Sequence, residues 1–325
     1  MLRTSLILVL ALTCHAQTLF EALTKQPNLS NFTAFYQSNE EFANALLGNS
    51  SNYPITFLAP SNDAFASYEA QTGTPLENAG LDTLLELLQY HTLVANLSKD
   101  DLGSGGAEGL TTPTFLTGSE HNNRSVGLAL ASKYGGPQRA AGQVVFIKNT
   151  DSGSAKKRFV LSNRQDGGGQ NTIRSGLSSN VIVDALDDEE GLWEGGRFHI
   201  IDGLLTPPER CSATIRGAKL TGLDNALNRS KLWNALDSST NLTCLGPNNK
   251  AFSDAGSPDA NLNATTLTGA LLFHTLPEVA YSDYLVDGQE FKSLQNGTVR
   301  VKIEGEGVDR TIWFNNAKVV DANVL

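Results

Sequence analysis

Two periods of hydrophobic positions organise this chain, and both occur twice in the same order. Leu81, Leu84, Leu85 and Leu88 fall at i, i+3, i+4 and i+7. That spacing lines one face of a 3.6-residue helix and predicts an amphipathic helix packed on a core. Leu267, Ala270, Leu271 and His274 repeat it. Shorter helical patterns lie upstream: Phe32, Phe35 and Tyr36 in the first part, Leu220, Leu223 and Leu227 in the second. Beyond each long helix the period falls to two. Val126, Leu128 and Leu130 alternate with small or polar residues, as do Val299, Val301 and Ile303, which predicts half-buried strands. Val181-Ile182-Val183-Asp184-Ala185 and Lys318-Val319-Val320-Asp321-Ala322 predict another matched strand. Helices followed by strands indicate an α+β fold.

The duplication can be read residue by residue. Thr56–Phe65 is Thr-Phe-Leu-Ala-Pro-Ser-Asn-Asp-Ala-Phe, and Thr243–Phe252 is Thr-Cys-Leu-Gly-Pro-Asn-Asn-Lys-Ala-Phe. Tyr90-His91-Thr92-Leu93 is echoed by Phe273-His274-Thr275-Leu276. The offsets are 187 (243 − 56) and 183 (274 − 91) residues. Solenoid units run about 20–50 residues, so a repeat this long means two copies of a whole domain. The 325 residues suit two domains on the usual size prior. The expected organisation is a first domain over 17–206, a Pro-rich linker at 207–210 and a second domain over 211–325.

The repeats differ in two ways. From His91 to Asp184 is 93 residues, but from His274 to Asp321 only 47. The surplus is expected in surface loops at Gly103–Gly106, Gly135–Gly136, Asp151–Ala155 and Gly167–Gly169. The first repeat also closes with Gly196-Arg197-Phe198-His199-Ile200-Ile201-Asp202-Gly203-Leu204-Leu205, which has no counterpart after Asp321. The second repeat is therefore expected to lack its closing strand, as a truncated sequence would, leaving an open sheet edge.

The decapeptide makes sense as a corner between strand and helix. Thr56 to Leu58 is β-prone and apolar, and Pro60 ends the strand. Ser61 or Asn62 can cap the next helix, and Asp63 complements its positive end. Ala64 and Phe65 pack back. Asn248 or Asn249 can cap the second helix, where Lys250 replaces Asp63 and the favourable charge–dipole contact is lost. Thr56, Pro60, Asn62, Phe65, Tyr90 and His91, with Thr243, Pro247, Asn249, Phe252 and His274, are thus read as structural, with surface contact as the alternative. The spacing of His91 from Leu84 and Leu88 favours a buried, hydrogen-bonded ring. Phe273 in place of Tyr90 shows that the hydroxyl is dispensable there.

Charge and motifs narrow the function. The net charge of −10 argues against nucleic acid and anionic membrane as partners. Arg3, the apolar run Leu6–Leu12 and Cys14-His15-Ala16 read as a signal peptide over 1–16, too short to span a bilayer. Secretion gives meaning to nine glycosylation sequons, at Asn28, Asn31, Asn49, Asn96, Asn123, Asn228, Asn241, Asn263 and Asn296. Cys211 and Cys244 remain after signal removal, and a disulfide between them is expected in an oxidising compartment. Asp187-Asp188-Glu189-Glu190 is contiguous, unlike a calcium loop, and reads as a solvated loop. Lys156-Lys157-Arg158 reads as a surface hairpin, with sulfated glycan the alternative. Gly167–Gly169 lacks the setting of a phosphate loop. No Gly-X-Ser-X-Gly elbow and no Arg-Gly-Asp is present, since Ala218 follows Arg216-Gly217. No metal or catalytic residue and no cofactor is predicted.

The Thr-X-Leu-X-Pro-X-Asn-X-Ala-Phe segment, the Tyr/Phe-His pair and the Phe198-His199-Ile200-Ile201-Asp202 run together resemble the fasciclin-like domain family. The resemblance implies two domains, each a β-wedge or sandwich with helices packed on one side. It also implies a secreted, non-enzymatic glycoprotein acting in cell adhesion or contact with cell wall or matrix. The expected partner is an extracellular protein or glycan, with weak self-association and a membrane anchor beyond residue 325 left open. Two other readings stand beside it. One is an extracellular hydrolase using acidic residues with His91 or His199, and the other is a carrier of a small apolar ligand.

Overall fold

A computed structural model of the chain describes residues 17–103, 108–118, 121, 126–150 and 170–325. The first repeat opens with three short helices, α1 (Leu19–Thr24), α2 (Ser30–Ser38) and α3 (Glu40–Leu47). Phe32, Phe35 and Tyr36 point from α2 into the core. Strand β1 (Ile55–Pro60) follows, buried at every position, then α4 (Asn62–Thr72) and α5 (Leu81–Tyr90). On α5 only Leu84 and Leu88 of the predicted face are buried; Leu81 is 64% and Leu85 38% exposed. The apolar stripe is narrower than its sequence spacing implied because only one side of the helix meets the core.

The rest of the first repeat is sheet with helical insertions: β2 (Thr92–Leu93), α6 (Lys99–Gly103), β3 (Leu110–Pro113), α7 (Leu128–Lys133), β4 (Val144–Thr150), β5 (Gln170–Arg174), β6 (Asn180–Asp184), α8 (Asp188–Gly191), β7 (Leu192–Trp193) and β8 (Gly196–Ile201). The order is β2-β1-β8-β6-β5-β4-β3, with β7 on β8. The last strand to form in sequence, β8, runs parallel to β1 in the middle. The sheet curls until Thr114, just past β3, bridges Leu93. Alternate residues then serve two cores. Phe57, Ala59, Phe198 and Ile200 face the helices, while Leu58, Ile201, Val145, Ile147, Ile173 and Val183 fill the curl. Each of the Val, Leu, Ile and Phe side chains among them contributes about 1.5–3 kcal/mol by leaving water. Gly196 begins β8 at φ +136°, where a Cβ would strike the Ile55 carbonyl; only glycine allows the strand to approach there.

The second repeat restates the plan with α9 (Cys211–Gly217), α10 (Thr221–Arg229), α11 (Trp233–Ser238), β9 (Thr243–Cys244), α12 (Asn249–Asp254), α13 (Pro258–Asn261), α14 (Ala264–Phe273) and β10 (Thr275–Leu276). A four-stranded meander follows: β11 (Glu290–Lys292), β12 (Thr298–Glu304), β13 (Thr311–Phe314) and β14 (Ala317–Lys318). The Val299, Val301 and Ile303 alternation is strand β12, with Val299 and Val301 buried. Here the sheet is split, for β9 pairs only with β10 among the described residues. The helical core and the strand core are correspondingly separate clusters.

Several expectations are corrected. Val126, Leu128 and Leu130 do not form a strand: Gly127 at φ +77° turns the chain into α7, Leu130 and Ala131 go inward, and Leu128 is 91% exposed. Leu, Ala and Lys favour helix, and the apparent alternation spanned too few residues to outweigh them. Val319-Val320-Asp321 is not a strand, because β14 stops at Lys318 and Val320 is 74% exposed. Cys211 is buried at the start of α9 and Cys244 half-buried in β9. Cys211 is a small apolar member of the helical core. In the linker, Pro207 and Pro208 pass directly over Gly176. The signal segment, Lys156-Lys157-Arg158, Asn123 and Gly167–Gly169 lie outside the described residues.

Candidate functional site

The repeated signature builds the same corner twice. Thr56 Oγ1 donates to Ala95 O and accepts from Leu97 N, both at 2.7 Å. Thr243 Oγ1 donates to Glu278 O and accepts from Ala280 N, both at 2.8 Å. Ser61 caps α4 by accepting from Ala64 N, and Asn248 caps α12 by accepting from Ala251 N. The shared asparagine does something the sequence did not suggest. Asn62 Oδ1 accepts from Asn31 N at 2.9 Å and its amide reaches Pro27 O. Asn249 Oδ1 accepts from Gly222 N at 3.1 Å and its amide donates to Lys219 O. In each repeat this side chain ties the corner to the start of an earlier helix. Its recurrence at a fixed slot was the one available signal. Phe65 and Phe252 are buried on the helices behind. Pro60 closes β1, and Pro247 lies between β9 and α12.

The histidines of the signature and of β8 are engaged by backbone. His91 is 2% exposed; its Nδ1 lies 2.6 Å from Leu87 O, and its Nε2 accepts from Leu205 N at 3.1 Å. Nδ1 therefore carries the proton and the ring is neutral. Burial pushes its pKa down from 6.5 to about 4. His199 is fully buried: Nε2 donates to Leu97 O and Nδ1 accepts from Leu186 N. Burial lowers its pKa also. Neither ring has a lone pair or proton left for chemistry. His274 repeats the Nδ1 bond, to Ala270 O at 2.8 Å, but is more exposed. Tyr90 is buried and donates to Val144 O at 3.0 Å, anchoring α5 to β4.

Two cavities matter. Phe32, Phe57, Phe65, Leu84, Leu88 and His91 line one of about 30 Å³, room for a single water and none for a carried ligand. A larger cleft of about 640 Å³ lies between the repeats, lined by Asp101, Glu108, Lys133, Tyr134, Asp283 and Tyr284. Asp101 and Asp283 are pushed in opposite directions: hydrogen bonds from Ser98 lower Asp101, while burial raises Asp283. Both are already engaged. Asp101 Oδ2 accepts from Ser98 N and Oγ. Asp283 Oδ2 accepts from Thr111 N at 2.7 Å and Oδ1 from Thr111 Oγ1 at 2.6 Å, locking the repeats together. Neither His91 nor His199 lines this cleft.

On the surface, Asn28, Asn31, Asn49, Asn96, Asn228, Asn241, Asn263 and Asn296 are all exposed. Where their side chains bond, Oδ1 is the atom used: from Ser51 N at Asn49, from Arg197 Nη1 at Asn96 and from Thr266 N at Asn263. A sugar attaches at Nδ2, so those bonds survive glycosylation. The Asp187–Glu190 run is a helix start, not a loop: Asp187 caps α8, and Asp188 pairs with Arg197 at 2.9 Å. Among the described residues no group of three or more His, Cys, Asp or Glu could hold a metal, and no helix is long and apolar enough to cross a membrane.

The fasciclin domain family model matches twice, over residues 27–133 and 218–325. A fasciclin-like arabinogalactan protein of Arthroderma benhamiae is 24% identical over 326 residues, 98% of this chain and 66% of its own length. Another of that description, from Cercospora beticola, is 26% identical over 181 residues, 55% of this chain and 46% of its own. The chain thus spans just under two thirds of one relative, and its match covers under half of the other. Among solved structures, a FAS1 domain pair from the insect cell adhesion molecule fasciclin I covers 90% of this chain and 92% of its own at 17% identity, with a TM-score of 0.36.

Proposed function

Since the chain belongs to the fasciclin domain family, with two such domains in tandem, we propose that it is an extracellular, non-enzymatic glycoprotein that adheres to cell wall or matrix. One observation carries this reading. The residues repeated between the domains are spent on internal bonds, and His91 and His199 are neutral, buried and doubly bonded to backbone. What is left facing water is sequon-bearing surface, suited to binding rather than turnover. The two fungal relatives carry the description fasciclin-like arabinogalactan protein, in keeping with a wall setting. The leader over 1–16 and an extracellular protein or glycan as partner belong to the same proposal. A weak contact per domain gains from two linked copies.

The hydrolase reading has less behind it, because Asp101, Asp283 and Glu108 accept bonds from Ser98, Thr111 and Gly307, and no histidine lines the cleft. The test is retention of the secreted, glycosylated chain on isolated wall or matrix fractions, against an unrelated glycoprotein of similar negative charge. Retention above that control, weakened by enzymatic deglycosylation or by competing wall polysaccharide, is expected. Equal retention overturns the adhesive reading, and release of sugars or peptides from the fraction would point to an enzyme.

A further inference from the structure

The two repeats meet around a cleft that the repeated signature does not explain. Asp101, Glu108 and Lys133 come to it from the first repeat, Asp283 and Tyr284 from the second. Its volume of about 640 Å³ falls within the about 300–1,000 Å³ of ligand sites. Asp283 is spent on Thr111, through bonds of 2.7 and 2.6 Å, and so holds the two walls at a fixed spacing. Walls that are already fixed lose little order when a ligand enters.

The other polar groups of the lining keep capacity in hand. Asp101 uses Oδ2 for Ser98, and among the described residues nothing donates to its Oδ1. Glu108 Oε1 takes the Gly307 N–H at 3.4 Å, while its Oε2 has only Arg310 Nε at 3.9 Å. Lys133 makes no ion pair among the described residues. Its ammonium lies over the Tyr134 and Tyr284 rings, 5.4 and 5.5 Å from their centres. The Tyr284 hydroxyl has no hydrogen-bond partner among the described residues.

The chemistry of the lining selects among occupants. An anion meets three carboxylates, Asp101, Glu108 and Asp283, against one ammonium. A cation finds the two rings already taken by Lys133. A wholly apolar ligand strips water from charged groups and returns no bond. A neutral ligand dense in hydroxyls meets none of these objections. We propose that the cleft is a subsite for a neutral sugar of a wall or matrix polysaccharide, an inference that rests on the adhesive reading above. Sugar O–H groups donate to Asp101 Oδ1 and Glu108 Oε2, and sugar oxygens accept from Lys133 Nζ. Hydrogen bonds with one charged partner are the stronger kind. The C–H face of the ring packs on Leu97 and Leu110. Because both repeats supply walls, one bound sugar also bridges them.

The full chain is titrated by calorimetry with neutral oligosaccharides cut from laminarin, mannan and galactan, each in turn, and with oligogalacturonate as the anionic comparison. Binding of at least one neutral series is expected, with slowed hydrogen exchange at Leu97–Asp101 and Ser282–Tyr284. Glu108→Gln or Lys133→Met weakens it about tenfold. Both side chains are exposed, and an unchanged thermal transition shows that the variants fold. The exchange footprint on the unaltered chain tests the site without any substitution. The proposal falls if no neutral oligosaccharide binds, if the anionic one binds as tightly, if both variants bind like wild type, or if the footprint lies elsewhere. Retention on wall or matrix that persists undiminished in both variants overturns the cleft and leaves adhesion standing. Retention equal to the control glycoprotein, with oligosaccharide binding intact, removes the adhesive reading and leaves the cleft a sugar site.

Discussion

His91 and His274 occupy the same slot in sequence and carry unequal weight in the structure. Replacing His91 by Ala strands the Leu87 carbonyl and the Leu205 N–H, each costing about 1–3 kcal/mol when buried without a partner. A loss of about 2–4 kcal/mol is expected in urea titration followed at Trp193, the one tryptophan of the first repeat. His274→Ala, with a single bond at a more exposed site, costs under about 1 kcal/mol. The pH dependence follows from the same burial. The ring takes a proton near 6.5 when unfolded but near 4 when folded. Between those values the unfolded state holds more protons, so stability is full above pH 6.5, falls as pH drops towards 4, and is flat below. The span corresponds to about 3 kcal/mol. The stability difference between wild type and His91→Phe should narrow across that window on acidification, and parallel curves would refute the neutral ring.

At the scale of elements, the strand-to-helix corner separates two residues that the sequence offered as equivalent caps. Ser61 and Asn248 do the capping, while Asn62 and Asn249 reach back to a preceding helix. Ser61→Ala should cost about 1 kcal/mol, a normal cap loss. Asn62→Ala should cost about 2 kcal/mol or more, because a backbone N–H and a carbonyl lose their partner together. Equal losses in the two variants, measured by thermal unfolding, would return Asn62 to the role of a cap. The Tyr90/Phe273 difference also resolves here. Tyr90 donates to Val144 on β4, a tie from α5 to the sheet for which Phe273 has no hydroxyl.

Across the whole molecule, the longer segment of the first repeat turns out to be an interface. Thr111 in β3 holds Asp283, Lys133 at the end of α7 lies over Tyr284 at 5.5 Å, and Val126, Leu130 and Val144 pack with Tyr281 and Leu325. Arg174 on β5 pairs with Asp321 at 2.5 Å. Strands β3 to β5 and helix α7 of the first repeat thus form the seat of the second. Thr111→Val with Asp283→Ala should loosen the pair without unfolding either half. The expected signature is a larger radius of gyration in small-angle scattering with unchanged far-ultraviolet circular dichroism. Undisturbed scattering would mean that the apolar cluster alone fixes the arrangement.

The sequence by itself determined the duplication, the α+β class, the strand-to-helix corners and the burial of His91. These rest on local spacing and on residues that recur at matched slots. Tertiary structure decided which asparagine caps, that Val126–Leu130 turns into helix and that Cys211 sits in the helical core. It also decided that β3 to β5 and α7 of the first repeat face the second. The physical reason is the range of the interactions. A helix face or a cap is written within one turn of chain. Whether an apolar strand is covered depends on a partner more than a hundred residues away, such as Phe198 beside Phe57, and no local pattern carries that information.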